Sequence, residues 1–299
     1  MRILVTGASG QVGSATAQRL RSRATVVATD RATLDLSKPD ALPGVLDKIS
    51  PDLVINTAAY TAVDRAEEES ALAQLVNAEA PGVIARWSAR GNIPLIHLST
   101  DYVFDGRGTQ PWSEDDPRRP LSAYGASKLA GEEQVRAARG CFLIIRASWI
   151  YAARGANFLR KIAQLAKTHK ELRIVADQFG APPPAALIAE SLGTMLENGL
   201  PRFRQKAGEA SGVVHLAASG EASWYEFAML IVDGLLSRGV SLTVERIMPI
   251  RTEEYPLPAQ RPLNSRLNLR RLQTVFGITP PHWREVLGSE LDQLAREFS

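Results

Sequence analysis

Five short, continuously apolar segments, separated by longer helical patterns, constrain the fold of this chain more than any other feature. Each segment is rich in Val, Ile and Leu without polar alternation, as is typical of strands buried on both faces of a parallel sheet. Strands that alternate with crossover helices predict a doubly wound α/β sheet. The predicted strands are residues 2–6, 25–29, 52–56, 95–99 and 142–146, and the clearest crossover helices are residues 12–22 and 71–90.

The second half of the chain follows a different pattern, in which helices alternate with loops and only two short strands are evident. Helices are predicted over residues 157–170, 185–199 and 224–238, strands over 172–175 and 213–217, and loops over 177–184, 201–212 and 255–263. We therefore predict a first domain over residues 1–150 and a smaller lobe formed mainly by residues 151–299. The strands near 172–175 and 213–217 are candidates to rejoin the first sheet.

Composition restricts the classes of protein to consider. Hydrophobic residues make up 45% and charged residues 22% of the 299 residues, which is typical of a globular protein, and no apolar run is long enough to span a membrane. The net charge of +3 is small and the basic residues are dispersed along the chain, so no nucleic-acid-binding face is expected. The single cysteine, Cys141, excludes an intrachain disulfide and fits a cytoplasmic protein, and the four separated histidines predict no metal site.

Three glycines after the first predicted strand are the first sign of a binding site. Gly7, Gly10 and Gly13 have GxxGxxG spacing, and a helical pattern follows at once. Glycines permit a tight turn and the close approach of a pyrophosphate, which the N-terminus of the following helix attracts through its free N–H groups and its dipole. The motif predicts a Rossmann-type NAD(P)-binding domain; the alternative is a glycine-rich turn that binds nothing.

Residues at the ends of later strands fit the rest of a dinucleotide. Asp30 is placed to accept a hydrogen bond from an adenosine ribose hydroxyl, which favours NADH. Arg31 could instead pair with a 2′-phosphate, which favours NADPH. The small residues Ala58 and Ala59 leave room for a cofactor over the sheet, or they pack closely against a helix.

Tyr124 and Lys128 are the candidate catalytic pair. They stand four residues apart, so on a helix their side chains share one face. A neighbouring ammonium stabilises a phenolate, so Lys128 is expected to lower the pKa of Tyr124 and to make it a usable proton donor or acceptor. Thr100, after a central strand, could place its hydroxyl beside the tyrosine. The alternative is an ordinary surface Tyr–Lys pair.

These motifs, in this order and spacing, resemble the extended short-chain dehydrogenase/reductase family. Longer strings narrow the likeness to the dTDP-4-dehydrorhamnose reductases: STDYVFDG at residues 99–106, YGASKLAGE at 124–132, RASWIY at 146–151, DQFGAP at 177–182 and RPLNSRL at 261–267. With the glycine motif, the likeness extends from the N-terminus to about residue 270. It is therefore a resemblance to one group of reductases and not only to a shared fold.

The resemblance implies reduction of the C4 keto group of dTDP-4-dehydro-β-L-rhamnose, with NADPH or NADH as cofactor and the dTDP-sugar as partner. Tyr124 would protonate the developing alkoxide, Thr100 would tune that proton transfer, and Lys128 would orient the nicotinamide ribose. Positions at the family's cofactor contacts are Gly10, Gln11, Val12, Asp30, Asp35, Leu36, Ala59, Tyr60, Thr61 and Leu98, and positions at its sugar-nucleotide contacts are Thr100, Asp101 and Trp149.

Aromatic and basic residues are consistent with such a substrate. Tyr102, Trp149 and Trp224 offer flat apolar surface for a deoxysugar or a thymine, although Trp224 fits a core position equally well. Arg261, in the proline-rich loop, is a candidate clamp for the diphosphate, with a structural ion pair as the alternative.

Three departures from the family pattern bear on these expectations. Pro183 replaces the usual threonine after the DQxGxP string and removes a hydroxyl from that loop. Ala15 stands where relatives that dimerise through Mg²⁺ have a glutamate, so we expect a monomer or a weak homodimer without that metal. Tyr60 stands where the family often has a small residue or histidine, which alters the nicotinamide side of the pocket.

Two other functions remain open on the sequence alone. The regulatory β subunit of methionine adenosyltransferase resembles this family and acts by binding a partner enzyme. A nucleotide-sugar epimerase would use the same fold and retain its cofactor. The presence of Tyr124, Lys128 and Thr100 together favours an enzyme over the regulatory subunit, and an exchangeable cofactor would distinguish the reductase from the epimerase.

Overall fold

The computed structural model describes residues 1–298. Its strands are β1 (Arg2–Thr6), β2 (Thr25–Ala28), β3 (Leu53–Asn56), β4 (Leu95–Thr100), β5 (Phe142–Ala147), β6 (Glu171–Val175), β7 (Phe179–Gly180), β8 (Val213–His215), β9 (Ala222–Ser223) and β10 (Arg246–Ile250). Its α-helices are α1 (Gln11–Leu20), α2 (Leu42–Ile49), α3 (Ser70–Gln74), α4 (Ala80–Arg90), α5 (Ala123–Ala137), α6 (Phe158–Thr168), α7 (Ala185–Leu196), α8 (Gly199–Glu209), α9 (Trp224–Leu236) and α10 (Gly288–Phe298).

Six parallel strands form the main sheet, in the order β2-β1-β3-β4-β5-β8. The chain passes from β1 to β2 on one side and then crosses to β3 on the other side of β1, so the strand order reverses between β1 and β3. In open α/β sheets, ligands bind outside the carboxyl ends of the strands at such a point. The predicted Rossmann-type doubly wound sheet is therefore confirmed.

Helices cover both faces of the main sheet because the side chains of its inner strands alternate between two apolar cores. In β1, Ile3 and Val5 face a core shared with α1, α7 and α8, whereas Leu4 faces a core shared with α2 and α4. All three side chains are fully buried. Burial on both faces explains why this strand is continuously apolar in the sequence.

A smaller core lies outside the main sheet. Helices α6, α9 and α10 pack around the fully buried Trp283, beside a two-stranded parallel sheet of β6 and β10. The expectation that the strand near 172–175 rejoins the main sheet is wrong: Leu172 and Ile174 are buried but Arg173 is exposed, and this alternation suits a sheet with one face in water. The strand Val213–His215 does join the main sheet, beside β5. The domain boundary near residue 150 stays a prediction.

The segment 201–212, predicted as a polar loop, forms most of α8, and that prediction is wrong. Pro201 lies in the first turn, where a helix tolerates proline because the N–H groups there have no partner within the helix. Phe203 and Ala207 are buried at helical spacing against the main core. Tertiary packing therefore stabilises a helix that its polar composition conceals.

The other predicted helices are present with shifts of a few residues at their ends. The helix predicted over 71–90 consists of α3 and α4 joined through one π turn at Leu75–Glu79, and the helices predicted over 157–170, 185–199 and 224–238 correspond to α6, α7 and α9. Within residues 1–298, no helix combines the length and the apolar character that a membrane span requires.

Ile188, on α7, tests the assignment of the main core. It is fully buried between α1, α7 and the sheet, so we predict that Ile188→Ala lowers the free energy of unfolding by about 2–5 kcal/mol through lost apolar contact and a residual cavity. Urea denaturation followed by circular dichroism measures the change. Leu236→Ala, at a half-exposed residue of α9, is the control and should change it by less than about 0.5 kcal/mol. Equal losses for the two variants would contradict the assignment.

Candidate active site

A cavity of about 890 Å³ opens at the carboxyl ends of β1, β3 and β4 and extends to the first turns of α6 and α9. Every residue predicted to take part in catalysis or binding lines it, with the exception of Arg261. The predicted residues brought together there are Gly7, Gly10, Gln11, Val12, Gly13, Asp30, Arg31, Asp35, Leu36, Ala58, Ala59, Tyr60, Thr61, Leu98, Thr100, Asp101, Tyr102, Tyr124, Lys128, Trp149 and Trp224.

The glycine turn has no space for side chains. Gly7 has a φ of +65°, and a Cβ there would lie 2.7 Å from the Cα of Ala58. A Cβ on Gly13 would lie 2.2 Å from the carbonyl oxygen of Gly7. Gly10 precedes α1 and provides no side-chain cap, so the first N–H groups of the helix are available to a ligand. A bare backbone cradle at a helix N-terminus fits the pyrophosphate of a dinucleotide.

The end of β2 presents both candidate ribose ligands to the cavity. Hydrogen bonds from the side chain and N–H of Thr33 lower the pKa of Asp30, whose Oδ1 also accepts from the N–H of Ala32 over 3.0 Å. Asp30 is therefore an ionised acceptor. Arg31 is 80% exposed, and its Nε lies 3.8 Å from Oδ1 of Asp35, a weak attachment that leaves the guanidinium able to turn to a 2′-phosphate.

Three further residues line the cavity, although nothing in the sequence predicted that they would contact a ligand. Leu72 on α3 and Val76 in the following π turn line it together with Leu36, and this apolar surface suits a flat base. Asn157, from the second lobe, donates from Nδ2 to Oε1 of Gln11 over 2.9 Å. In the sequence, Leu72 and Val76 have the spacing of ordinary core residues, and Asn157 has the properties of a helix cap.

Asn77, a fully buried residue of the π turn, joins the loop after β3 to α5. Its Oδ1 accepts from the N–H of Tyr60 over 2.8 Å, and its Nδ2 donates to the carbonyl of Tyr60 and to Oγ of Ser127, each over 3.0 Å. The hydroxyl of Tyr60 donates to the carboxylate of Glu69. The chain that carries Ala59, Tyr60 and Thr61 past the cavity is thus held to the helix of the candidate catalytic pair.

Tyr124 and Lys128 lie on α5, one turn apart, beside the end of β4. Ser122 caps the helix, because its hydroxyl accepts from the N–H of the third helical residue over 3.2 Å. Lys128 is buried, and its Nζ donates to the carbonyl of Leu98 over 2.7 Å. The side chain of Thr100 lies beside the phenol of Tyr124 and acts to lower its pKa. The predicted catalytic residues therefore meet at one point of the cavity.

Burial governs the ionisation of this pair. It raises the pKa of Tyr124 to about 12, against a smaller opposing effect of Thr100. It lowers the pKa of Lys128 to about 8, against the opposing charge of Glu132. The expectation that Lys128 lowers the pKa of Tyr124 is wrong here, because desolvation of the phenolate dominates and the ammonium donates to Leu98. At neutral pH the phenol keeps its proton, as a proton donor requires.

Asp101 is a second buried acid at this point. Its side chain accepts from Oγ1 of Thr100 over 3.1 Å, and the residue is only 2% exposed. Burial raises its pKa to about 7, against the opposing effect of the hydrogen bond from Thr100. Near neutral pH this carboxyl therefore exists in both protonation states, and it can donate or accept a hydrogen bond.

Two stacked tryptophans form the far wall of the cavity. The rings of Trp149 and Trp224 lie 3.5 Å apart and are inclined by 10°, and Nε1 of Trp224 donates to Oε1 of Gln178 over 3.1 Å. Trp149 has a φ of +53°, which is rare for a bulky residue and indicates a conformation imposed by its surroundings. Tyr102 packs edge-on against Tyr124 at 5.5 Å. The cavity thus offers flat apolar surface next to the phenol.

Arg261 and Pro183 lie outside the lining of the cavity. Arg261 forms a bidentate pair with Asp64, with distances of 3.0 and 2.8 Å, and this attaches the proline-rich loop to the loop after β3. The sequence contained no signal that Asp64 would be its partner. Pro183 is buried, and its carbonyl accepts from the N–H of Tyr151 over 3.2 Å. The missing threonine hydroxyl therefore does not change the lining of the cavity.

The chain is similar along its whole length to reductases of known name. Residues 1–296 match the family model of the RmlD substrate binding domain. The chain is 46% identical over 290 residues to the dTDP-4-dehydrorhamnose reductase of Burkholderia thailandensis, which covers 96% of this chain and 97% of that protein. The chain is also similar to the crystal structure of a dTDP-4-dehydrorhamnose reductase from Clostridium acetobutylicum, with 35% identity and a TM-score of 0.89. It is similar to that of a dTDP-4-dehydrorhamnose reductase from Bacillus anthracis in complex with NADP, with 31% identity and a TM-score of 0.88. Each similarity covers 98% of this chain and 99% of the other.

Gly180 tests the placement of the tryptophan wall. Its backbone conformation would accept alanine, but a Cβ there would lie 2.8 Å from the ring of Trp149, which is already stacked on Trp224. We predict that Gly180→Ala displaces Trp149 and raises the KM for the sugar nucleotide about tenfold, equivalent to about 1.4 kcal/mol. Steady-state kinetics measure the change.

The matched control is Gly208→Ala on α8, where an added Cβ would meet no atom within 4 Å. It should leave KM unaltered. An unchanged KM in Gly180→Ala would indicate that Trp149 does not contact the sugar nucleotide.

Proposed function

We propose, because this chain belongs to the RmlD substrate binding domain family, that it is a dTDP-4-dehydrorhamnose reductase. It reduces the C4 keto group of dTDP-4-dehydro-β-L-rhamnose to dTDP-β-L-rhamnose, and NAD(P)H leaves as NAD(P)⁺. One observation carries the proposal: Tyr124, Lys128 and Thr100 meet in a single cavity between a glycine turn and a pair of tryptophans. The glycine turn suits the diphosphate of a dinucleotide, and the tryptophan pair on the other side suits the apolar parts of a sugar nucleotide.

The residues of the chain bind and orient the cofactor and the substrate, and one of them protonates the C4 oxygen. The N-terminus of α1 holds the cofactor diphosphate, and Asp30 accepts from the adenosine ribose. NAD(P)H, when bound, supplies the hydride. Tyr124 gives its phenolic proton to the C4 oxygen as negative charge develops there, and the side chain of Thr100 lies beside the phenol. Lys128 would donate a hydrogen bond to the nicotinamide ribose from its position one turn beyond the phenol.

The two other candidate functions have less support. The relatives and structures compared above are named as reductases, and they match both lobes of the chain. A regulatory subunit would not need a protonated phenol beside a charged lysine in an open cavity. An epimerase would purify with tightly bound oxidised cofactor, whereas the proposed reductase exchanges its cofactor in every turnover.

We infer a cytoplasmic enzyme that is a monomer or a weak homodimer. A single cysteine suits a reducing compartment. Ala15 on α1 packs against the main core and has no carboxylate with which to bind a bridging Mg²⁺. Sedimentation at several protein concentrations, with and without a chelator, measures the oligomeric state.

Tyr124→Phe tests the proposed reaction. It removes the proton donor and keeps the ring, so we expect turnover of dTDP-4-dehydrorhamnose to fall about 10²–10⁴-fold while the dissociation constant of NADPH stays nearly unaltered. The rate is measured as the loss of the absorbance of reduced nicotinamide when NADPH is oxidised. Tyr255→Phe, at an exposed tyrosine, is the matched control. A rate near that of the wild type in Tyr124→Phe would exclude this tyrosine as the acid.

Arg31→Ala tests the preference between the cofactors. The exposed guanidinium is the group best able to reach a 2′-phosphate, so we expect kcat/KM for NADPH to fall about tenfold, equivalent to about 1.4 kcal/mol, with little change for NADH. The two cofactors are compared side by side at one ionic strength. Arg21→Ala, at an exposed arginine at the end of α1, is the control. Equal losses with NADH and NADPH would argue against recognition of the phosphate.

A further inference from the structure

A buried carboxylate behind the catalytic pair has no role in the steps described so far. Glu132 lies on α5 one turn beyond Lys128, so the two side chains share a face, and its side chain is 0% exposed. Its Oε1 accepts from Oγ of Ser99 over 2.7 Å and from Nε of Arg146 over 2.8 Å. Its Oε2 accepts from Nη2 of Arg146 over 2.7 Å. Both oxygens are thus bound by groups from neighbouring strands.

Two consecutive residues of β4 are attached to α5 by side chains one helical turn apart. Lys128 donates to the carbonyl of Leu98, and Ser99 donates to Glu132. Thr100 is the next residue of the strand, and its side chain lies beside the catalytic phenol. The distance between that hydroxyl and the phenol therefore depends on how these two contacts hold the strand against the helix.

Several cations surround the charge of Glu132. Arg146 comes from β5, Nη1 of Arg118 lies 3.8 Å away in the chain before α5, and Arg136 lies one turn further along α5. Burial lowers the pKa of Lys128, and Glu132 opposes that effect. Because Arg146, Arg118 and Arg136 all lie near Glu132, loss of its charge leaves more uncompensated positive charge near Lys128.

The other titratable groups near Lys128 cannot take the place of the negative charge of Glu132. His97, from β4, is fully buried, and burial together with the charge of Lys128 places its pKa well below the ordinary value, so the ring is neutral. The phenol of Tyr124 is protonated. Within the described chain, Glu132 is the carboxylate that raises the pKa of Lys128.

We propose that Glu132 is a positioning residue for the reduction: through Ser99 it fixes the end of β4 against α5, and its negative charge keeps Lys128 in the charged state that holds the cofactor ribose. The proposal rests on the function proposed above. A buried ion pair such as Glu132–Arg146 adds little net stability, because desolvation of both charges offsets their attraction. The Glu132–Arg146 ion pair is therefore better explained by an effect on the position of the catalytic residues than by an effect on the stability of the fold.

Glu132→Gln tests the role of the charge, because it keeps the shape of the side chain and one acceptor oxygen. Lys128 acts when protonated, so activity is present below its pKa and is lost as the pH rises through it. We expect the basic limb of the kcat/KM profile to move to lower pH by about one pH unit in the variant. Glu133→Gln, the same change at the exposed neighbouring residue, should keep the profile of the wild type. Superimposable profiles for Glu132→Gln and the wild type would overturn this role.

A binding measurement separates this proposal from the proposed function. NADPH affinity, followed by quenching of tryptophan fluorescence between about pH 6 and pH 9, needs no substrate and should weaken at lower pH in Glu132→Gln than in the wild type. If this shift is seen but the wild type does not turn over dTDP-4-dehydrorhamnose, the function fails and the role of the charge stands. If turnover is normal and neither profile moves, the role of the charge fails alone.

Ser99→Ala tests the positional role independently, because it removes the strand–helix hydrogen bond and leaves the Glu132–Arg146 pair in place. We expect kcat to fall about tenfold, since Thr100 is no longer held at its distance from the phenol, with no shift of the pH profile or of NADPH affinity. Thermal unfolding of each variant checks that the fold is retained. A wild-type kcat in Ser99→Ala would overturn the positional role, even if Glu132→Gln cannot be obtained in folded form.

Discussion

The attachment of α5 to the end of β4 is the interaction on which the rest of this molecule's site depends. The helix carries Tyr124 and Lys128, and the strand carries Thr100. Their contact is made by buried charged groups, with Lys128 on the strand backbone and Glu132 on Ser99, and not by apolar packing alone. Such groups have few alternative partners inside a protein, so they define one register of helix on strand.

The cavity depends on contacts between the two halves of the chain as much as on either half. Gln11 at the start of α1 is bonded to Asn157 at the start of α6, and Asp64 after β3 is paired with Arg261 in the proline-rich loop. These contacts set the dinucleotide side of the cavity opposite the tryptophan wall. A cofactor and a sugar nucleotide can then meet at Tyr124.

Particular residues mark how far the sequence predicts the fold and the site. The strands of the main sheet, the glycine turn and the pair Tyr124–Lys128 follow from the sequence, because burial on two faces, backbone space and helical spacing leave local patterns. The helix α8 (Gly199–Glu209) does not follow, since its stability depends on the packing of Phe203 against the main core. The edge strand β10 and its pairing with β6 likewise depend on a partner that lies far away in the sequence.

The sequence by itself determined the fold class, the glycine turn and the Tyr124–Lys128 pair, because each depends on spacing between near neighbours along the chain. Its longer strings determined the family, and the resemblance to that family supplied many of the residues predicted around the cavity. Only the tertiary structure decided that Arg261 pairs with Asp64, that Leu72 and Val76 line the cavity, and that Glu132 stands behind Lys128. It also decided that Tyr124 keeps its proton, since a pKa depends on burial and on charges brought close in space. Such effects come from groups far apart in the sequence, so no local pattern records them.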